Sequence, residues 1–164
     1  MLQKLVPKLS VRTIYDIDLQ QLWNSGIRGI ITDLDNTLVG AKDPLATPEL
    51  IEWLGQLKQV GFKVVIVSNN QRGRVSAFAD PIGIQFIYRA KKPTNVSFHR
   101  AMKLLGSGVK QTAVIGDQML TDVLGGNRIG LYTILVNPIS VRDEGFFTKV
   151  NRRIEKLALA WMKK

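Results

Sequence analysis

Cysteine is absent from the 164 residues, and histidine occurs once, at position 99. The first absence excludes disulfides, Cys-ligated zinc, iron–sulfur clusters and a thiol nucleophile. Any metal must therefore rest on oxygen ligands or on His99. Acidic residues are scarce, 13 Asp plus Glu against 23 Lys plus Arg, and the resulting formal charge of +10 favours anionic partner surfaces. Long apolar runs are missing too, since nothing approaches the ~20 residues that span a bilayer. The opening MLQKLVPKLSVRTIYDID has scattered lysines and no continuous apolar stretch, unlike a secretory signal. A cytoplasmic protein is expected, soluble or held peripherally on a membrane. What is present is apolar material at 45% of residues, with mean hydropathy +0.03, enough to fill a core and to exclude wholesale disorder. The length suits one domain over 1–164, with basic terminal segments at 1–20 and 148–164.

Apolar runs and amphipathic stretches alternate from about residue 27 to residue 136. Gly29 to Leu34 reads as a buried strand. Pro48 to Val60 reads as a helix with Leu50, Ile51, Leu54 and Leu57 on one face, capped by Thr47, with Pro48 in first position and Gly61 closing it. Lys63 to Val67 is the next strand, a continuous β-branched run from Val64 on, as parallel strands covered on both faces tend to be. A short helix over 72–80, a strand over 85–88, a helix over 95–105, a strand over 112–115, a helix over 121–128 and a strand over 131–136 follow. Such repetition predicts an α/β fold, a Rossmann-like parallel sheet of about five strands with helices on both faces. Trp53 and Phe98, on helices, are expected in the core. Ligands of such sheets gather beyond the carboxyl ends of the strands.

The residues at four of those ends share one chemistry. The first strand runs into Asp33-Leu34-Asp35-Asn36-Thr37, the second into Ser68-Asn69-Asn70, the third into Lys91-Lys92-Pro93, and the fourth into Gly116-Asp117 with Asp122 close behind. Two carboxylates at i and i+2 past a buried strand repel each other, and a hard divalent cation such as Mg²⁺ would neutralise them. Hydroxyl, amides and a lysine can hold an oxyanion. Each element alone is commonly a turn, a cap or a solvated loop; their order after four successive strands describes a site for a metal-bound phosphate. Thr37 could orient Asp35 or touch the phosphate, or simply close its loop. Asn69 could donate to the phosphate or complete a turn. Arg72 and Arg74 could reach a substrate or lie on a solvated helix face.

With these four motifs the sequence resembles the haloacid dehalogenase superfamily of phosphotransferases. The resemblance implies that Asp33 is the nucleophile forming an aspartyl-phosphate, and that Asp35 is general acid and then base. It implies Mg²⁺ held by the Asp33 carboxylate, the Asp35 backbone carbonyl and Asp117, with Asp122 in support, and Ser68 and Lys92 as phosphate ligands. Only 33 positions separate Asp35 from Ser68, and 24 separate Ser68 from Lys92. Each interval is filled by one helix and one strand, so no cap domain fits. An open site can admit a phosphate carried on something large.

Charge bears on that choice. Between Pro81 and Gly116 there are Arg89, Lys91, Lys92, Arg100, Lys103 and Lys110, with no Asp or Glu. Near the C-terminus Val150, Ile154, Leu157 and Trp161 would share one face of a helix flanked by Arg152, Arg153 and Lys156, a pattern suited to an anionic membrane or to packing on the sheet with its cations in solvent. Leu2, Leu5, Val6 and Leu9 with Lys4 and Lys8 offer a second docking candidate. Neither segment interleaves aromatics as a base-stacking platform would, which argues against nucleic acid as the partner.

The sequence is similar in particular to the capless phosphatidylglycerophosphatase branch, through Leu5-Val6-Pro7, Tyr15-Asp16-Ile17-Asp18, Gly26-Ile27-Arg28-Gly29-Ile30 and Gly125-Gly126-Asn127. That resemblance implies phosphatidylglycerophosphate as substrate and an anionic phospholipid surface as partner. A soluble phosphatase acting on small esters or phosphoproteins is the alternative. A basic RNA-binding module on a phosphatase scaffold is a further one.

Overall fold

The computed structural model describes residues 2–139, 152–157 and 159–160. Its centre is a six-stranded parallel sheet formed by β1 (Leu9–Val11), β2 (Gly29–Thr32), β3 (Lys63–Val67), β4 (Gln85–Ile87), β5 (Thr112–Gly116) and β6 (Tyr132–Val136), in the order β1-β6-β5-β2-β3-β4. β2 lies inside it, with Gly29 in register with Lys63 on one side and Thr112 on the other. The sheet has one strand more than expected: β1 pairs with β6 through Leu9 and Ile134.

Side chains alternate across each strand, so the sheet feeds two cores. Ile30, Ile66, Ala113 and Ile115 meet Leu50, Trp53 and Leu57 of α2 (Pro48–Val60) and Phe78 of α3 (Arg72–Ala79). Ile31, Val65, Val67 and Val114 meet Phe98, Ala101 and Leu105 of α4 (Asn95–Leu105) on the other face. Burying each of these large side chains contributes ~1.5–3 kcal/mol. Trp53 and Phe98 are core residues, as their helix positions predict.

The start of α2 follows its sequence signals. Thr47 accepts a hydrogen bond from the Leu50 amide at 3.1 Å, and Gly61 ends the helix at φ 120°, a conformation that favours glycine. A short α1 (Leu19–Asn24), capped by Asp18, precedes β2. The helix expected over 121–128 is instead a π-helical turn, Met119–Val123, leading into α5 (Leu124–Arg128); π turns cluster at functional sites.

Both terminal docking candidates are changed by the structure. Leu2 and Leu5 pack on Met119 and Val123, Leu9 belongs to β1, and Lys4 donates to the Asn127 carbonyl. The N-terminal segment is thus part of the packed body. Residues 152–157 are helical. Their Arg152 and Glu155 point at the protein, while Ile154 and Leu157 are exposed by 46% and 71%. Lys149, Val150, Trp161, Lys163 and Lys164 lie outside the described residues. Among those described, no helix is long and apolar enough to cross a membrane.

Candidate active site

Because all six strands run the same way, the loops after them open on one face. Asp33 follows β2 and continues its ladder, its amide donating to the Ile115 carbonyl at 2.9 Å. The chain then turns sharply: Asn36 adopts φ 62°, and its amide donates to the Val39 carbonyl at 2.7 Å. Asn is among the few side chains that tolerate this left-handed backbone. The turn sends the two carboxylates of the Asp33-Leu34-Asp35 segment to different partners.

Asp33 faces inward, toward Lys92. The Lys92 ammonium lies 3.1 Å from Asp33 Oδ1 and 2.6 Å from Asp122 Oδ1, with its side chain only 3% exposed. Burial alone would discharge it, but Asp122 and Asp33 outweigh burial and hold its pKa well above the usual lysine range. Asp117 completes the group. One carboxylate oxygen from each of Asp33, Asp117 and Asp122 lies within 4.8 Å of the others, and all three residues are buried. Burial, with the charges of Asp33 and Asp122, raises the Asp117 pKa; Arg152 opposes the rise. Burial pushes Asp122 up to about 6, Lys92 pulling down and Asp33 up. Three buried carboxylates against Lys92 and Arg152 are still short of positive charge, and such oxygen donors are those of a divalent metal site.

Close packing enforces this arrangement. A Cβ at Gly116 would stand 2.1 Å from the Asp122 carboxyl carbon, so only glycine lets Asp122 lie beside β5. Thr37 donates its hydroxyl to Asp117 Oδ1 at 3.0 Å. Ser68 is buried at the end of β3, its oxygen accepting from the Asn70 amide at 3.0 Å. Asn69 spends both ends of its carboxamide on the Lys92 backbone: Oδ1 accepts from the amide at 2.8 Å, and Nδ2 donates to the carbonyl at 3.3 Å. A phosphate contact from Asn69 would use its second amide hydrogen.

Asp35 lies apart from the three-acid group. Asn70 Nδ2 donates to its Oδ2 at 2.9 Å, and Arg74 Nε donates to its Oδ1 at 3.1 Å. The Arg74 guanidinium also reaches the Gly40 and Asp43 carbonyls, tying Asp35 to the loop that follows it. Asn70 carried no distinguishing signal in the sequence beyond its place after Ser68. Arg152 is a correction: expected from sequence to face either an anionic membrane or solvent, it turns inward to pair with the Asp117 carboxylate and carbonyl. His99 is exposed on α4, away from the acids. An apolar groove lined by Ile51, Leu54, Phe62, Pro81 and Ile84 lies toward the amino ends of β3 and β4, and no acid lines it.

The profile of the family described as mitochondrial PGP phosphatase matches residues 2–140, a span that includes every acid, hydroxyl and lysine of the site. The chain belongs to this family. It is 48% identical over 159 residues to "Probable phosphatase YqeG" of Bacillus subtilis, covering 97% of this chain and 92% of that protein. It is 30% identical over 173 residues to the chloroplastic/mitochondrial phosphatidylglycerophosphate phosphatase 1 of Arabidopsis thaliana, covering 99% of this chain and about half, 49%, of the plant protein. Among solved structures, the 3-deoxy-D-manno-octulosonate 8-phosphate phosphatase of Moraxella catarrhalis, in complex with magnesium, phosphate and the sugar acid, superposes with a TM-score of 0.56 at 20% identity. That match covers 87% of this chain and 90% of that one.

PGP phosphatase family membership makes the chain a phosphatase of the capless haloacid dehalogenase type. The topology agrees: α2 and β3 occupy the interval from Asp35 to Ser68, and α3, a single 3-10 turn (Asp80–Ile82) and β4 that from Ser68 to Lys92. The acids, Ser68 and Lys92 singled out in the sequence converge on one end of the sheet.

Proposed function

We propose that the chain is a Mg²⁺-dependent phosphomonoesterase that converts phosphatidylglycerophosphate to phosphatidylglycerol and phosphate at a membrane surface. The observation that carries the chemistry is the Asp33, Asp117 and Asp122 triad facing Lys92. The substrate is supported by the family match, the open capless site and the +10 charge.

The Asp33 and Asp117 carboxylates and the Asp35 backbone carbonyl would hold Mg²⁺, braced by Asp122. Bound there, Mg²⁺ supplies positive charge to the phosphoryl oxygens and orients them. Asp33 attacks phosphorus, forming an Asp33–phosphate bond as the ester P–O bond breaks. Asp35 gives its proton to the departing alkoxide. Water then attacks the aspartyl-phosphate, Asp35 takes its proton, and Asp33 is released with phosphate. Lys92 and Ser68 balance and hold the transferring group throughout. Asn69 keeps Lys92 in place, and Thr37 orients Asp117. Asn70 and Arg74 fix the Asp35 carboxylate clear of the metal donors, where a leaving oxygen can meet it.

Phosphate release from vesicles containing phosphatidylglycerophosphate, with and without Mg²⁺, tests this beside a panel of soluble phosphomonoesters. Mg²⁺-dependent release that is fastest on the lipid is expected. Faster turnover of a soluble ester would overturn the substrate, and undiminished turnover in EDTA would overturn the metal.

A further inference from the structure

Eleven large apolar side chains are exposed among the described residues, and they are not spread evenly. Four of them lie on segments that follow the carboxyl ends of β2, β4 and β6, the side on which the site opens. Leu45, 62% exposed, follows the Asp35 turn; Tyr88, 39% exposed, comes directly after β4; Val96, 68% exposed, is in the first turn of α4; and Ile139, 54% exposed, follows β6. The Ile139 amide donates to the Asn36 carbonyl at 3.0 Å, which places it beside the turn that carries the two aspartates. Ile154 and Leu157 add to the same side, because Arg152 of their helix reaches Asp117.

Cations stand between these apolar tips. Arg72 lies over the Tyr88 ring at 5.8 Å, and Arg89 and Lys91 are exposed on the loop that turns Lys92 inward. Both Arg89 and Lys91 have positive φ, 45° and 55°. Non-glycine residues adopt that backbone at a cost, and it persists where the surroundings demand it; here it presents two charges outward on either side of Ala90. Asp43, an exposed acid near Leu45, has its carboxylate turned onto the Gly40 amide at 3.1 Å.

We propose that this rim is a docking surface for an anionic lipid bilayer, laid against the membrane so that the site opens directly onto the headgroup layer. The inference rests on the proposed substrate and adds where, and in what orientation, the enzyme meets it. Aliphatic tips interspersed with Lys and Arg match an interface in which short apolar groups enter the acyl boundary and cations meet phosphates. The same tips are poor partners for a nucleic acid, since Leu45, Val96 and Ile139 offer no ring for a base to stack on. With the rim seated, a phosphomonoester projecting from the headgroup layer faces Asp33 without leaving the bilayer.

Co-sedimentation with phosphatidylglycerol-containing and pure phosphatidylcholine vesicles tests the surface, using wild type, Leu45→Ser with Val96→Ser, and Arg72→Gln with Arg89→Gln. A control, Lys58→Gln with Lys63→Gln, removes the same charge from residues of the groove at the amino ends of β3 and β4. Each cation at an anionic surface is worth about fivefold in binding, so the arginine pair should lose roughly 30-fold at low salt and little at high salt. The Leu45 and Val96 pair should lose about tenfold at both. Hydrolysis of a soluble phosphomonoester should be unchanged in all, and the control should bind as wild type. Rim variants that sediment like wild type, or a control that loses as much as they do, would overturn the docking surface. So would RNA binding abolished by the arginine pair where vesicle binding is not. Because binding is read without turnover, the two proposals fail separately: vesicles bound but their phosphatidylglycerophosphate not hydrolysed reject the substrate, and vesicle binding indifferent to the rim variants rejects the surface.

Discussion

Asn69 grips the backbone of Lys92 from both sides, accepting from its amide at 2.8 Å and donating to its carbonyl at 3.3 Å. It does for the loop after β4 what a neighbouring strand would do. The lysine that pairs with Asp33 is therefore set by a residue on the adjacent strand's loop.

Asn69→Ala should lower kcat on a soluble ester about tenfold to a hundredfold while the fold persists, because two backbone groups lose partners at ~1–3 kcal/mol for each left buried. Steady-state kinetics with thermal melting checks this. A variant with full kcat would mean Lys92 holds its position unaided.

Asp33→Asn should abolish turnover, since an amide is a poor nucleophile and a poorer metal ligand. Asp35→Asn should slow both chemical steps by orders of magnitude and leave Mg²⁺ affinity nearly intact. The Asp35 carboxylate is committed to Asn70 and Arg74 and lies outside the three-acid group. Mg²⁺ titration of the Asp35 variant decides the point, and a large loss of affinity would make that carboxylate a ligand.

Protons and metal should compete for the same oxygens. Asp122 is pushed up to about 6, and Asp117 is also raised, chiefly by burial. A carboxyl whose pKa is higher folded than unfolded binds more protons in the native state between the two values. Its contribution to metal-free stability thus falls as pH rises from about 4 through 6. Mg²⁺ binds the ionised forms and releases those protons. The gain in Tm on adding Mg²⁺ should therefore be larger at pH 7.5 than at pH 5. Affinity should weaken by about tenfold per pH unit for each proton displaced. Equal gains at both pH values would contradict the assignment.

Arg152 brings a guanidinium to Asp117, where a metal ligand is expected. Arg152→Gln should tighten apparent Mg²⁺ affinity several-fold and lower the Tm of the metal-free protein, because one positive charge then no longer opposes the other. Calorimetric Mg²⁺ titration beside melts in EDTA reads both. Weakened Mg²⁺ binding would show instead that Arg152 helps to hold Asp117 in place.

Much of this was legible in the sequence because period and position coincide. Continuous β-branched runs announce buried parallel strands, and the residue after each run falls at the sheet's carboxyl end. That puts Asp33, Ser68, Lys92 and Asp117 on one side of the sheet from the sequence alone. β1 was not legible: three residues at the sheet edge, Leu9–Val11, are too few to display a period. Arg74 and Arg152 were visible only as charges, since direction depends on tertiary contacts. Ile154 and Leu157 show the limit of helical pattern: the helix turns Arg152 and Glu155 inward and leaves those apolar side chains outside. A charge shortage among buried acids outcompeted apolar burial.

The pairing of β1 with β6 also sets the order in which the chain can be finished. Leu9 waits for Ile134, 125 positions later in the sequence, so β1 has no partner in the sheet until β6 has left the ribosome. Closure of the sheet's far edge is a late, long-range event that shorter loops elsewhere cannot hasten. A nascent chain stalled before β6 would carry its N-terminal strand unpaired, and with it the Leu2 and Leu5 anchor that covers Met119.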